Sequence, residues 1–342
     1  MITPERKVRV LEMLITEGLF GGFMITIYMP ALQDLWFRHQ FMADEATMSY
    51  NTAWGGTIPF PETEWERWYE SWLIHHENKR FYRYLKNSET NTFVGEIAYH
   101  YDEERFIWLA DVIVASEYRG KGYGTSGLQL LCQAAAKNGV DVLRDDIAID
   151  NPARAMFLKA GFTEEYRTDE IVMLKKNLAD LPRRILVIGS PGAGKSTFSR
   201  KLRDKTGLPL YYLDMIFHNS DRTTVSRDDF DEKLSEILNT DEWIIDGNYQ
   251  RTLPLRFENC TEVFFFDLPV DECLQGAEAR IGQKREDMPW IEEEFDPEFR
   301  QFILDFSKDQ LPRIYQLIEL YADTKKIVVF YSRQEADAWL EA

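Results

Sequence analysis

Only three cysteines, Cys132, Cys260 and Cys273, occur in 342 residues, with no C-x-x-C pair and no histidine cluster beside them. So sparse a set excludes a disulfide framework and any zinc-ligand spacing, and it fits neutral, buried thiols in a reducing compartment. Cations are also in short supply, since 40 Lys and Arg face 58 Asp and Glu and the formal net charge is −18. Lys and Arg carry binding to nucleic-acid backbones, so DNA and RNA are not expected as partners, although a local basic patch can still hold a small anion. Long apolar runs are missing too. The run from Leu19 to Leu32 follows Arg6, Lys7 and Arg9 like the core of a signal peptide. It is too short for a bilayer, Pro30 breaks it, Glu5, Glu12 and Glu17 interrupt its surroundings, and no small-residue cleavage site follows. The expectation is a cytoplasmic protein with no membrane partner. Repeats and low-complexity tracts are absent as well.

What is present suffices for two cores, with 44% hydrophobic and 14% aromatic residues, and the length favours two domains. Residues 1–22 are expected to form a helical extension, because Val8, Leu11, Ile15 and Leu19 share one stripe over Pro4–Gly18. A first domain over 23–178 then begins with a strand at Phe23–Tyr28. An aromatic-rich helical stretch follows from Leu32 to His76, interrupted by a turn at Gly55–Pro61. Strands are expected at Phe81–Leu85, Phe93–Tyr101 and Phe106–Val114, then a glycine turn, a helix from near Thr125 to about Asn138, a strand near Ile147, a short helix at Ala153–Ala160 and a strand at Ile171–Lys175. A polar, proline-containing linker over 179–183 separates this from a second domain over 184–342. There strands at Ile185–Ile188, Leu210–Leu213, Trp243–Ile245, Val263–Phe266 and Ile327–Tyr331 alternate with helices, as in parallel βαβ units.

The second domain opens on GSPGAGKST, Gly189 to Thr197, which fits G-x-x-x-x-G-K-[ST] between an apolar strand and a helix. Glycines at this spacing let the loop from Pro191 to Thr197 turn the backbone N–H groups of Gly192, Ala193, Gly194 and the residues after them inward around phosphates at a helix N-terminus. Lys195 is expected on the β- and γ-phosphates of ATP or GTP, and Ser196 on Mg²⁺. A carboxylate at a strand end should complete the metal site. Asp246 in WIIDG and Asp267 in VFFFD both qualify; Asp246 is preferred because Gly247 permits close approach, while Asp267 can instead cap the helix starting near Pro269. These runs, with LYYLD, WIIDGNY, FFFDLP and KREDMP, resemble the small P-loop kinase-like proteins known as DNA topology modulation proteins, relatives of adenylate and shikimate kinases, over essentially all of 183–342. The resemblance implies that Asp214, after the second strand, faces the phosphoryl acceptor; a turn or cap role is the alternative. Arg280, Lys284 and Arg285 lie where a lid over Gln283–Pro297 is expected, and Arg251 and Arg256 follow WIIDGNY. Arginines in these places can stabilise a transferring phosphoryl group or simply be solvated. The charge balance favours a small acceptor over DNA.

In the first domain, a strand at Val112–Val114 runs into Arg119-Gly120-Lys121-Gly122-Tyr123-Gly124, and a helix begins near Thr125. Successive free amides at a helix N-terminus can hold a pyrophosphate. No acidic ribose partner follows in a βαβ unit, so a dinucleotide site is not indicated. The loop and the later segment DNPARAMFLKAGF, Asp150 to Phe162, together resemble the GCN5-related N-acetyltransferase (GNAT) superfamily over about Phe23–Leu178. The resemblance implies an α+β domain with a mixed sheet, acetyl-CoA held by Arg119–Thr125, and backbone groups of Val112 and Val114 offered to the pantetheine arm. Many members place a tyrosine where this chain has Phe157; either water, Tyr118 or Tyr123 then protonates the leaving thiolate, or the step needs no acid. Glu96 and Asp111 are the candidate general bases. Asp145, Asp146 and Asp150 either attract a cationic amine or form a solvated acidic loop. His75, His76 and His100 read as surface or packing residues.

The leading expectation is therefore an α/β chain that transfers acetyl from acetyl-CoA to an amine and phosphoryl from ATP or GTP, with Mg²⁺, to a small acceptor. An acetyltransferase carrying a nucleotide-sensing P-loop domain and a drug-modifying acetyl- and phosphotransferase remain open. The residues do not specify the oligomeric state.

Overall fold

The computed structural model describes residues 25–342, so the expected helix over Pro4–Gly18 lies outside the described residues. The chain divides into two compact units, one ending at Leu181 and the other spanning Pro182–Ala342. The junction falls inside the expected linker. Leu178 still belongs to the first unit, buried in its core with its N–H on the Asp141 carbonyl.

The first unit is built on a seven-stranded mixed sheet: β1 (Ile25–Tyr28), β2 (Arg80–Asn87), β3 (Phe93–Asp102), β4 (Ile107–Val114), β5 (Val142–Ala148), β6 (Thr163–Arg167) and β7 (Ile171–Asn177), in the order β1-β2-β3-β4-β5-β7-β6. All neighbours are antiparallel except β4 and β5. The exposed edge strand β6 was not expected, because Thr163–Arg167 is polar on both faces and no alternation marks it. Strand alternation sends Leu85, Ile97 and Tyr99 to one face, where they pack on the long helix Tyr123–Lys137. The opposite face carries Tyr82, Tyr84 and Ala98 beneath α1 (Leu35–Ala43) and the short turns that follow. The stretch expected to be helical up to His76 is broken into 3₁₀ turns at Thr47–Trp54 and Glu62–Glu64, α2 (Trp65–Tyr69) and a π turn at Glu70–Ile74. The helix Tyr123–Lys137 is α3, and the short helix Arg154–Lys159 is α4.

The second unit holds a five-stranded, all-parallel sheet in the order β12-β11-β8-β10-β9. Its strands are β8 (Arg184–Gly189), β9 (Leu210–Tyr212), β10 (Trp243–Asp246), β11 (Glu262–Phe266) and β12 (Lys326–Phe330). ILVI, WIID and EVFFF read as unbroken apolar runs because helices cover both faces of a parallel sheet. Around it run α5 (Lys195–Thr206), α6 (Leu213–Phe217), α7 (Arg227–Leu238), α8 (Leu253–Asn259), α9 (Val270–Glu278), α10 (Pro297–Asp309), α11 (Leu311–Tyr321) and α12 (Arg333–Glu341). The last of these was missed in the sequence reading, although Ser332 caps its N-terminus by accepting from the Glu335 N–H. Among the described residues, no helix is long and apolar enough to cross a membrane.

Ile97 is fully buried at the centre of the first sheet. Ile97→Ala should therefore destabilise the first unit by about 2–5 kcal/mol, the usual cost of emptying such a site. Urea unfolding followed by near-UV circular dichroism checks this, with a midpoint unchanged from wild type as the contrary result.

Candidate active sites

The parallel pairing of β4 with β5 consists of Trp108↔Leu143 and Leu109↔Arg144 and goes no further. Beyond those pairs the strands part, while β4 stays joined to β3 through Val114↔Gly95. The free edge of β4 at Val112–Val114 thus keeps backbone groups that no neighbouring strand satisfies, and an extended ligand can pair with them. A cavity of about 980 Å³ opens here, lined by Val112, Val114, Gly120, Gly122, Gly124 and Thr125 together with Asp111 and Asp145.

The glycine loop closes one wall. Gly122 sits at φ +85° as the residue preceding α3 and supplies no side-chain cap, and a Cβ at Gly120 or Gly122 would meet no atom within 4 Å. The first amides of α3 are thus left for an outside acceptor. Tyr123 begins the helix, two residues earlier than expected. The Arg119 guanidinium is not part of the open cradle: it donates to the carbonyls of Val114, Ala46 and Thr47, so it ties the loop to the 3₁₀ turn. The Lys121 ammonium reaches the Glu117 carbonyl and lies over the Tyr118 ring. This geometry fits a pyrophosphate and an extended pantetheine arm. Tyr118 and Tyr123 both line the cavity beside Phe157, and the Tyr123 hydroxyl accepts from Asn87 at 2.6 Å.

The candidate bases separate clearly. Glu96 is buried, with its side chain only 3% exposed, and it binds both the Arg38 guanidinium and the Tyr82 hydroxyl. Burial works against the Arg38 charge, but Glu96 and Tyr82 outweigh it and hold the guanidinium pKa above its ordinary value. Arg38 also lies over the rings of Trp68, Phe60 and Tyr82. The aromatic cage is therefore occupied from within, and Glu96 is committed to closing it. Asp111, by contrast, faces the cavity with His100 Nδ1 at 3.5 Å. Asp145 and Asp146 lie within β5 and not in a loop, while Asp150 is exposed in the turn that follows; Asp146 is held by Arg105.

In the second unit the loop after β8 forms a glycine-rich turn at the N-terminus of α5. Gly192 has φ +79°, and a Cβ there would overlap the Cys273 carbonyl of α9; one at Gly276 would overlap the Gly192 carbonyl. Two glycines thus let backbone lie on backbone, and Gly276 had no motif to announce it. Lys195 Nζ donates to the Ser190 carbonyl at 2.8 Å. Burial lowers the Lys195 pKa, while Asp246 and Asp214 act against that shift. Asp246, at the end of β10, is pushed up to about 6 by burial, with Lys195 and a hydrogen bond from Ser196 pulling the other way. Its Oδ2 atom is buried without a partner among the described residues. Asp267 plays a different part: it accepts from Tyr315 and caps no helix. Asp214 lies in the first turn of α6 and accepts from the Tyr249 hydroxyl at 2.8 Å.

A cavity of about 390 Å³ joins Gly194, Lys195, Ser196 and Thr197 to Arg200, Arg280, Lys284 and Arg285. Glu292 holds the two arginines of the expected lid, at 3.4 Å from Arg280 and 3.3 Å from Arg285. Burial, followed by the nearby Arg285, lowers the Arg280 pKa. The other two candidate arginines are elsewhere. Arg256 is fully buried and donates to the carbonyls of Gly247, Asn248 and Tyr249, and Arg251 pairs with Asp231 on the surface. Arg333, which no motif marks, donates to the carbonyls of Gly192 and Glu272 and so clamps the glycine turn to α9.

Residues 40–162 match the model of the acetyltransferase (GNAT) family, just over a third of the chain. Among solved structures, a chimera of spermidine N-acetyltransferase SpeG from Vibrio cholerae and hSSAT is similar at 16% identity, covering 46% of this chain and 97% of that one with a TM-score of 0.38. The putative acetyltransferase yncA from Salmonella typhimurium, solved with acetyl-CoA, is similar at 17% identity, with 46% and 96% covered and a TM-score of 0.39. An acetyltransferase of the GNAT family from Bacillus anthracis is similar at 15% identity, with 47% and 98% covered and a TM-score of 0.38. No curated protein matches the chain.

Glu96→Gln removes the charge that balances a buried guanidinium. It should lower stability by about 3–5 kcal/mol, read by denaturant unfolding. A loss below 1 kcal/mol would show that the Arg38 cage holds without the ion pair.

Proposed function

We propose that this chain is a bifunctional transferase that moves acetyl from acetyl-CoA to an amine and phosphoryl from ATP or GTP to a small acceptor. The observation that carries the first activity is the parting of β4 and β5 beside an uncapped helix N-terminus, within the segment that matches the acetyltransferase family. Backbone amides at Gly122–Thr125 would hold the pyrophosphate, and the free edge of Val112–Val114 would pair with the pantetheine amides. The thioester then lies in the gap between the strands, where an amine can attack its carbonyl carbon. Bound there, acetyl-CoA supplies an activated acyl group; the protein supplies position and removes a proton.

For the second activity, the support is the cradle of Gly189–Thr197 with Lys195, Ser196 and the unpartnered Asp246 oxygen converging beside it. Ser196 and Asp246 would hold Mg²⁺. Arg280 and Arg285 would face the charge that spreads over a transferring phosphoryl group. Asp214, oriented by Tyr249, would accept a proton from the acceptor hydroxyl.

Two variants separate the activities. Gly122→Trp places a bulky side chain in the pyrophosphate cradle at a positive φ, and acetyl-CoA turnover should fall by about 100-fold or more while nucleotide turnover persists. Lys195→Ala should lower nucleotide turnover by a similar factor and leave acetyl-CoA binding intact. Acetyl transfer unchanged by Gly122→Trp would remove the cradle from the reading, and acetyl-CoA affinity lost in Lys195→Ala would show that the two activities are not separable.

The raised Asp246 carboxyl sets a pH dependence. Above about pH 6 it is ionised and able to hold Mg²⁺; as pH falls through that value it takes up a proton. The Mg²⁺-dependent gain in ATP affinity should therefore vanish between about pH 7 and pH 5, while ATP binding in EDTA changes little. Calorimetric titrations across that range decide it.

A further inference from the structure

This inference rests on the acetyltransferase reading above and deepens it. An alkyl amine reaches the enzyme as an ammonium ion, and its nitrogen must lose a proton before it can attack a thioester. The group that takes the proton has to face the gap between β4 and β5, be free of other cations, and sit where water is scarce. Glu96 fails on the second count, since Arg38 and Tyr82 occupy it. Asp111 fails on the third, with a side chain 46% exposed and His100 beside it. Asp146 is taken by Arg105.

Asp145 meets the first two and, half-buried in β5, is partly shielded from water. It follows Arg144, the last residue of β5 that pairs with β4, so it stands at the point where the strands begin to part. It lines the same cavity as the glycine cradle and Val112–Val114. Among the described residues no donor or cation meets its carboxylate. We propose that Asp145 is the general base of the acetyl transfer, taking the proton of the acceptor ammonium inside the β4–β5 gap.

The charged groups around it act in one direction. Burial first, then Asp111 from β4 and Asp146 from its own strand, push the Asp145 carboxyl well above the usual carboxylate range. Tyr50, from the 3₁₀ turn above, carries a pKa that burial, Glu96 and Asp111 raise, and it stays neutral. His100 lies behind Asp111, and Arg105 lies across Asp146. A carboxylate so placed is a stronger base than an exposed one.

In the step itself, the Asp145 carboxylate takes one proton from R–NH₃⁺. The freed lone pair forms the C–N bond to the thioester carbonyl carbon, and the C–S bond breaks. The second nitrogen proton ends on the departing sulfur, and Asp145 returns its own proton to water. Acceptors should therefore be cationic amines, drawn to the Asp145 carboxylate, with their apolar part against Trp54 and Ile58.

The test uses the full chain with acetyl-CoA and a panel of primary aliphatic and aryl-alkyl amines. Asp145→Asn, nearly isosteric, should lower kcat by about 100-fold or more with acetyl-CoA affinity unchanged by calorimetry. In wild type, activity should fall as pH drops through the raised pKa of Asp145. Asp111→Asn removes a neighbouring negative charge and should move that limb to lower pH. Full activity of Asp145→Asn on an amine that wild type acetylates would overturn the assignment and leave the acetyltransferase reading standing. So would a limb that Asp111→Asn does not move. A wild type that binds acetyl-CoA but acetylates no amine in the panel would sink both.

Discussion

Two adjacent strands, β4 and β5, hydrogen-bond over two residue pairs and then part, and the candidate chemistry of the first unit follows from that gap. A sheet edge exposed inside a fold is costly unless something pairs with it. Here the cavity offers that edge to a ligand, and the glycine loop sets an uncapped helix N-terminus at its end. Around the gap the structure is over-determined: Arg119 ties the loop to the 3₁₀ turn, and the Arg38–Glu96–Tyr82 cluster fills the aromatic cage. A rigid frame of this kind keeps an open strand edge from closing on itself.

The second unit reaches a similar end by other means. Its cradle is held by close approach of backbones, with Gly192 against α9 and Gly276 against Gly192, and Arg333 binding the carbonyls of Gly192 and Glu272. The charged side chains near it come in opposed pairs. Lys195 faces Asp246 and Asp214, and Glu292 lies between Arg280 and Arg285. Such pairing keeps half-buried cations ordered without leaving their charge uncompensated. It also reconciles a basic cavity with a chain of formal net charge −18.

Much of this was legible in the residues alone. Apolar runs and glycine-rich turns carry local information, so nearly all strands fall within two or three residues of their expected places. The exceptions have physical reasons. Strand β6 is polar on both faces because it is an exposed edge, and α12 was overlooked because Arg333–Glu341 is mostly exposed with one fully packed residue, Ala336. Asp145 looked like part of a solvated loop because two adjacent aspartates rarely mark a half-buried strand. For Arg251 and Arg256, after WIIDGNY, the sequence leaves a phosphoryl contact and a solvated charge both open; α8 turns Arg256 inward under that loop and leaves Arg251 on the surface.

The chain order by itself determined the two glycine cradles and the strands and helices that flank them, since turn conformation and hydrophobic period are set by neighbours along the backbone. Only the tertiary structure decided which charges are free. Glu96 and Asp145 carry the same charge in the sequence; folding brings a guanidinium to one and two like charges to the other. Whether a carboxylate closes a cage or waits for a proton depends on groups far away in sequence, because Coulomb forces and desolvation act through space and not along the chain.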